Sequence, residues 1–116
     1  MASSTESPLL QEWNKTWGGA SGEDGMAVAV AADGSVYLAG VTDSFGAGSN
    51  DAFLAKYNAA GVQQWNVTWG NANSDQGRAV AVATDGSVYL AGSTNSFGAG
   101  NFDAFLAKYN AAGMQQ

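Results

Sequence analysis

Residues 13–64 and 65–116 are two copies of one 52-residue unit, aligned without insertion or deletion and identical at 39 of 52 positions. Trp13-Asn14, Asp33-Gly34-Ser35-Val36-Tyr37-Leu38 and Asp51-Ala52-Phe53-Leu54-Ala55-Lys56-Tyr57 each return 52 residues later. A unit of this size is one supersecondary block that cannot bury its own faces. It has to stack on copies of itself, and two copies are usually too few. The near-identity fits a recent duplication or a deliberate design. The repeat therefore bears on architecture and assembly before it bears on activity.

Each copy reads as four short strands joined by turn signals. Asp33-Gly34 and Asp85-Gly86 sit between apolar runs and mark hairpins. Asn58-Ala59-Ala60-Gly61 and Asn110-Ala111-Ala112-Gly113 mark a second tight turn. Ala-Val alternation at 27–31 has period two, which excludes an amphipathic helix there. The expected strands are 26–32, 36–41, 52–58 and 62–69 in the first copy, and 78–84, 88–93 and 104–110 in the second. A further strand of the fourth type is expected at 10–17, because Leu10-Gln11-Glu12-Trp13 matches Val62-Gln63-Gln64-Trp65. The chain then divides into a leader at 1–9, a first repeat at 10–64 and a second at 65–116.

These strands lack a clean polar face. Phe53, Ala55 and Tyr57 alternate with Ala52, Leu54 and Lys56, so both faces of the third strand are apolar. A sheet apolar on both faces is sandwiched between other sheets. The small Ala and Val residues suit a crowded hub, and the aromatic residues suit the wider rim. Four-stranded antiparallel units repeated radially make a β-propeller.

The run Trp17-Gly18, Ala27-Val28-Ala29-Val30, Asp33-Gly34-Ser35-Val36-Tyr37-Leu38-Ala39-Gly40, Ser44-Phe45-Gly46-Ala47-Gly48, Asp51-Ala52-Phe53-Leu54-Ala55-Lys56-Tyr57 and Ala59-Ala60-Gly61 resembles the seven-bladed β-propeller repeat of bacterial and archaeal proteins. The resemblance covers nearly all of 13–116. It implies an all-β fold built from propeller blades, in a family that is often secreted or on the cell surface. It implies little about activity. Two blades are too few for a ring, and the opening MASSTESPLLQ lacks the charged start and apolar core of a signal peptide.

A propeller closes when its last blade meets its first, and typical rings hold four to eight blades. The second copy has no fourth strand after it, whereas the chain opens with one. The expected solution is a homo-oligomer in which residues 10–17 of one chain complete the last blade of the next. Such a heterologous interface closes by rotation and removes an open strand edge. Four chains making eight blades is the leading expectation, with three chains making six the second.

Composition excludes much chemistry. There is no histidine and no cysteine, so Ser-His-Asp and Cys-His catalysis, disulfides and His or Cys zinc sites are absent. The net charge of −6 argues against nucleic acid and anionic membranes as partners. No enzyme activity, catalytic residue, cofactor or metal is expected. The loop from Asp43 to Asp51 is rich in oxygen ligands but lacks the alternating acids and terminal Glu of a calcium loop, so Asx-turn bonding is its expected use.

Any ligand is expected on the long-loop face, where the copies diverge: Glu23, Asp24, Asp43 and Asn50, with Asp75, Asn95 and Phe102. Trp13, Trp17, Trp65 and Trp69 are expected to pack between blades or on the rim. Asp51 with Lys56, and Asp103 with Lys108, read as structural pairs rather than acid–base machinery. A carbohydrate-binding, lectin-like propeller is the alternative, suggested by the tryptophans and loop amides. Asn14-Lys15-Thr16 and Asn66-Val67-Thr68 match the glycosylation sequon.

Overall fold

The computed structural model describes residues 10–46, 50–98 and 100–116. The strands are β1 (Glu23–Val30), β2 (Val36–Thr42), β3 (Asp51–Tyr57), β4 (Gln63–Trp69), β5 (Asp75–Val82), β6 (Val88–Thr94) and β7 (Asp103–Tyr109). They form a four-stranded sheet in the order β1-β2-β3-β4 and a three-stranded sheet in the order β5-β6-β7. All pairings within the sheets are antiparallel. The expected leader at 1–9 lies outside the described residues, as does the middle of the 43–51 loop.

Both predicted turns form, by one shared device. Gly34 N donates to Ala31 O at 3.0 Å, and Ala31 N donates to Ser35 O at 2.8 Å. Only the glycine is left-handed, with φ +89°, which is the three-residue hairpin loop closed by a glycine bulge. Asp33 Oδ1 stiffens it by accepting from Ser35 N at 2.8 Å. The 58–62 turn repeats the scheme, with Gly61 at φ +85° and Asn58 Oδ1 accepting from Ala60 N and Val62 N, each at 3.0 Å.

The first strand of each repeat starts three residues earlier than its sequence pattern indicates, at Glu23 and Asp75. The cause is a β-bulge between Gly25 and Ala27, repeated between Gly77 and Ala79. The bulge inserts Met26 or Arg78 and breaks the alternation that periodicity detects. Glu23, Asp24 and Asp75 consequently lie in strands rather than loops. Gly40 opposite the bulge is obligatory, because a Cβ there would overlap the Asp24 carbonyl oxygen.

Residues 10–17 are expected to pair only with another copy. They form no ladder within the chain. β4 already occupies the free edge of β3.

The core lies between the sheets. Tyr37, Ala39, Ala52 and Leu54 of the first sheet meet Val88, Leu90, Ala107 and Tyr109 of the second. The opposite face of the first sheet carries Phe53, Ala55 and Tyr57, covered by Trp17. Period-two alternation along β3 thus feeds two cores, one on each side. β5 packs against β1, β2 and β3, so the small first strands are neighbours in space. This is the stacking of two propeller blades.

Candidate assembly interface

Tryptophans at the rim hold each blade to the next. In β4, Trp69 stacks on Phe105 of the second sheet, with centroids 3.8 Å apart and planes at 8°. It meets Phe97 edge-on at 5.4 Å and 62°. Trp65 Nε1 donates to Ala111 O at 3.0 Å, and a Cβ on Gly113 would lie 2.7 Å from its ring. These contacts fix the outermost strand of blade one against blade two. Each aromatic pair contributes about 0.5–1.5 kcal/mol beyond its area.

The same four contacts recur 52 residues earlier. Trp17 stacks on Phe53 at 4.1 Å and 12° and meets Phe45 at 5.4 Å and 62°. Trp13 Nε1 donates to Ala59 O at 3.2 Å, and a Cβ on Gly61 would lie 2.7 Å from its ring. Residues 13–17 therefore stand against blade one where β4 stands against blade two. They have a fourth strand's position without the sheet that strand belongs to. β7 has the complementary lack. Among the described residues its outer edge meets only the bridge of Tyr109 to Gln115 and the bond from Gln116 N to Lys108 O at 2.7 Å.

Side-chain burial reports the same asymmetry, with each repeat as the other's control. Leu54 is 0% exposed, whereas its equivalent Leu106 is 71% exposed. Ala52 is buried and Ala104 exposed. On the leading face, Val28 and Val30 are 65% and 66% exposed, while Val80 and Val82 are packed into the core. The trailing face of blade two and the leading face of blade one are thus two halves of the contact already made inside the chain.

Lysine adds a polar tie. Lys56 Nζ lies 5.6 Å from the Tyr37 ring centroid and donates to Ala111 O at 3.2 Å across the blade boundary. Lys108 lies 5.8 Å from the Tyr89 centroid at the open face. Asp51 opens β3, is 1% exposed and closes against Gly46. Asp103 opens β7, is half-buried, closes against Gly98 and accepts from Gly100 N at 3.0 Å. The expected Asp–Lys pairs occupy opposite ends of one strand: the acids anchor loops and the lysines cross to the next blade.

The long-loop face is knitted by a carboxylate in each repeat. Asp75, fully buried, accepts from Thr94 Oγ1 at 2.5 Å, Ser96 Oγ at 2.9 Å and Asn71 N at 3.0 Å. In the first repeat the longer Glu23 accepts from Thr42 Oγ1 at 3.0 Å and Gly19 N at 3.3 Å. The hydroxyl of Ser44, then that of Thr42, holds its carboxyl below the usual value. Asn50 O accepts from Asp75 N at 2.9 Å, and Asn95 N donates to Ser74 O at 2.8 Å. Asp24, Asp43 and Phe102 are exposed.

Glu23, Asp75, Asn50 and Asn95 are thereby joined in loop scaffolding, as is the backbone of Asp43, whose N donates to Gly22 O at 2.8 Å; the side chains of Asp24, Asp43 and Phe102 point to solvent. Sequence reading missed Thr42, Ser44, Thr94 and Ser96. Their signal was the Thr-x-Ser-Phe-Gly run kept in both copies while the loop around it varied. Among the described residues, no three acidic side chains converge to hold a metal ion.

At the short-turn face the backbone and then the hydroxyl of Ser35 lower the Asp33 pKa, and Ser87 does the same for Asp85. Burial raises the pKa of Tyr57 and Tyr109.

Stacked antiparallel blades, closed at the rim by tryptophan and left open at both outer faces, define a β-propeller repeat protein. The family profile described as a domain of unknown function, DUF5122 beta-propeller, matches residues 31–63 and 83–115. This is more than half of the chain, and the chain belongs to that family. It is also similar to "Regulatory protein FlaEY" of Caulobacter vibrioides, with 28% identity over 123 residues. That match covers 88% of this chain and 13% of the relative, so the chain spans a small part of that protein's length.

Proposed function

We propose that this chain is a non-enzymatic, self-assembling propeller module whose copies join head to tail by strand exchange. The observation carrying this reading is the placement of residues 13–17, which repeats that of β4 contact for contact. Within the chain, β3 pairs with β4 as Ala52 with Trp69, Phe53 with Thr68, Leu54 with Val67, Ala55 with Asn66 and Lys56 with Trp65. Shifted by one repeat, Trp17, Thr16, Lys15, Asn14 and Trp13 of one copy pair with Ala104, Phe105, Leu106, Ala107 and Lys108 of another. Gln116 already bonds Lys108 O, so the incoming strand continues where the chain's own tail leaves the edge. Leu106 and Tyr89 of the first copy then cover Val28 and Val30 of the second.

Each junction has a donor side and an acceptor side, so copies add in one direction until the ring closes. With two blades per chain and rings of four to eight blades, we take four chains and eight blades as the assembly, with three chains as the next. Native mass across a dilution series tests this. One mass at a small whole multiple of 11.8 kDa is expected. A folded monomer at every concentration would overturn the assembly.

A further inference from the structure

Two grooves on the outer rim are repeat-related. The first has a volume of about 290 Å³ and is lined by Thr16, Trp17, Gly18, Phe45, Gln63 and Asn66. The second, about 450 Å³, is lined by Thr68, Trp69, Gly70, Phe97 and Gln115. Position by position these are the same residues 52 apart, with one difference. The residue equivalent to Asn66 has no counterpart in the second groove, because that blade lacks its fourth strand.

Each groove combines an aromatic wall with neutral hydrogen-bonding arms and contains no charged side chain. Phe45 and Phe97 remain 45% and 47% exposed there, although each touches a tryptophan edge-on. Gln63 and Gln115 are exposed in the lining. Amides and hydroxyls both donate and accept, which suits a ligand dense in hydroxyl groups. An exposed aromatic ring offers a flat apolar surface to the C–H face of a pyranose. The absence of charge in the groove and the net charge of −6 disfavour an anionic ligand. A wholly apolar ligand would leave the amide arms unpaired.

We infer that each rim groove is a binding site for a neutral pyranose sugar, one per blade, with the aromatic pair as platform and the glutamine and asparagine as arms. The first groove lies wholly within one chain and stands independently of assembly. The second rests on the strand-exchange reading: Asn14 of the incoming copy takes the place that Asn66 holds in the first groove. The assembled protein then carries two equivalent sites per chain, and a dissociated chain carries one.

The test is an NMR titration with methyl glucoside, methyl galactoside, methyl mannoside and N-acetylglucosamine, followed at the Gln63 and Asn66 side-chain amides and the Trp17 indole. At least one sugar is expected to shift all three with roughly millimolar affinity. Gln63→Ala and Asn66→Ala, both at exposed positions, are each expected to weaken binding about tenfold while native mass is unchanged. No shift with any sugar up to about 50 mM, or binding unaffected by both variants, overturns the site. A site count of one per chain, with sugar still bound, overturns the strand-exchange completion and leaves the first groove standing.

Discussion

Leu54 and Leu106 occupy the same place in successive repeats, yet one is sealed and the other is 71% exposed. If a second copy covers blade two as blade two covers blade one, Leu106→Ala acts on association and not on the chain's own fold. Full burial of a leucine side chain is worth about 1.5–3 kcal/mol. Removing the exposed share of Leu106 from water therefore contributes roughly 1–2 kcal/mol per junction. At 1.4 kcal/mol per factor of ten, the variant should weaken each junction by about 5- to 30-fold. Leu54→Ala instead leaves a cavity inside every chain and should cost about 2–5 kcal/mol of fold stability at any concentration.

The assay is light scattering across a dilution series, paired with thermal melts at the two ends of that series. Leu106→Ala should move the dissociation midpoint to higher protein concentration and lower the melting temperature only where the parent is assembled. Leu54→Ala should lower it throughout. A Leu106→Ala protein that assembles at the parental midpoint would refute the covered-face argument. So would one destabilised equally at all concentrations.

Further outcomes follow from single contacts. Trp13→Phe and Trp65→Phe each keep a ring over a glycine but lose one indole bond to a carbonyl; each should cost about 0.5–1.5 kcal/mol by urea unfolding. Gly61→Ala places a Cβ against Trp13 in a left-handed residue. It should cost at least about 1 kcal/mol and shift the Trp13 indole resonance as the ring lifts. Hydrogen bonds from Ser35, Ser87 and Ser44 hold the carboxyls of Asp33, Asp85 and Glu23 below their ordinary pKa values. Their contribution is therefore complete above about pH 5 and lost as pH falls through the folded values. Asp33→Asn with Asp85→Asn should flatten stability against pH below about pH 4. Tyr57 and Tyr109 act at the other end: their raised pKa values make stability fall as pH rises beyond about 10.

The repeat period, the turn residues and the strand alternation of β3 carried most of the architecture into the sequence. Asp33-Gly34 and Asn58 through Gly61 form turns by local chemistry alone, and local chemistry is what a sequence displays. The start of β1 was hidden because the bulge at Met26 breaks period two, and the glycine that permits it, Gly40, lies on another strand. The rim contacts were legible only as composition. Four tryptophans announced packing, but their docking onto Gly61 and Gly113 depends on pairs 48 residues apart. The loop carboxylates were read as ligand groups because they are charged and divergent. In the structure, Glu23 and Asp75 accept from their own threonines. Glu23 and Asp75 differ by one methylene, and each keeps its threonine hydroxyl bond, so that divergence is conservative in function.

In the proposed assembly, the offset between repeat and sheet sets how copies would meet. Had each chain held two complete blades, copies would meet through apolar faces alone. Burial of such faces is non-directional and tolerates sliding. The exchanged strand of the proposed assembly would remove that freedom. Slipping residues 13–17 by one position would turn Trp13 and Trp17 to the opposite face and undock both indoles. In the proposed assembly backbone pairing would set register, and burial of Leu106, Val28 and Val30 would add apolar contact. Closure adds the last term. A chain at the end of an open row is held by one junction, whereas every chain in a ring is held by two. The final junction also forms within a single assembly, where effective concentration is high. Dilution should therefore convert ring to monomer with little of the intermediate ladder that an open filament would show.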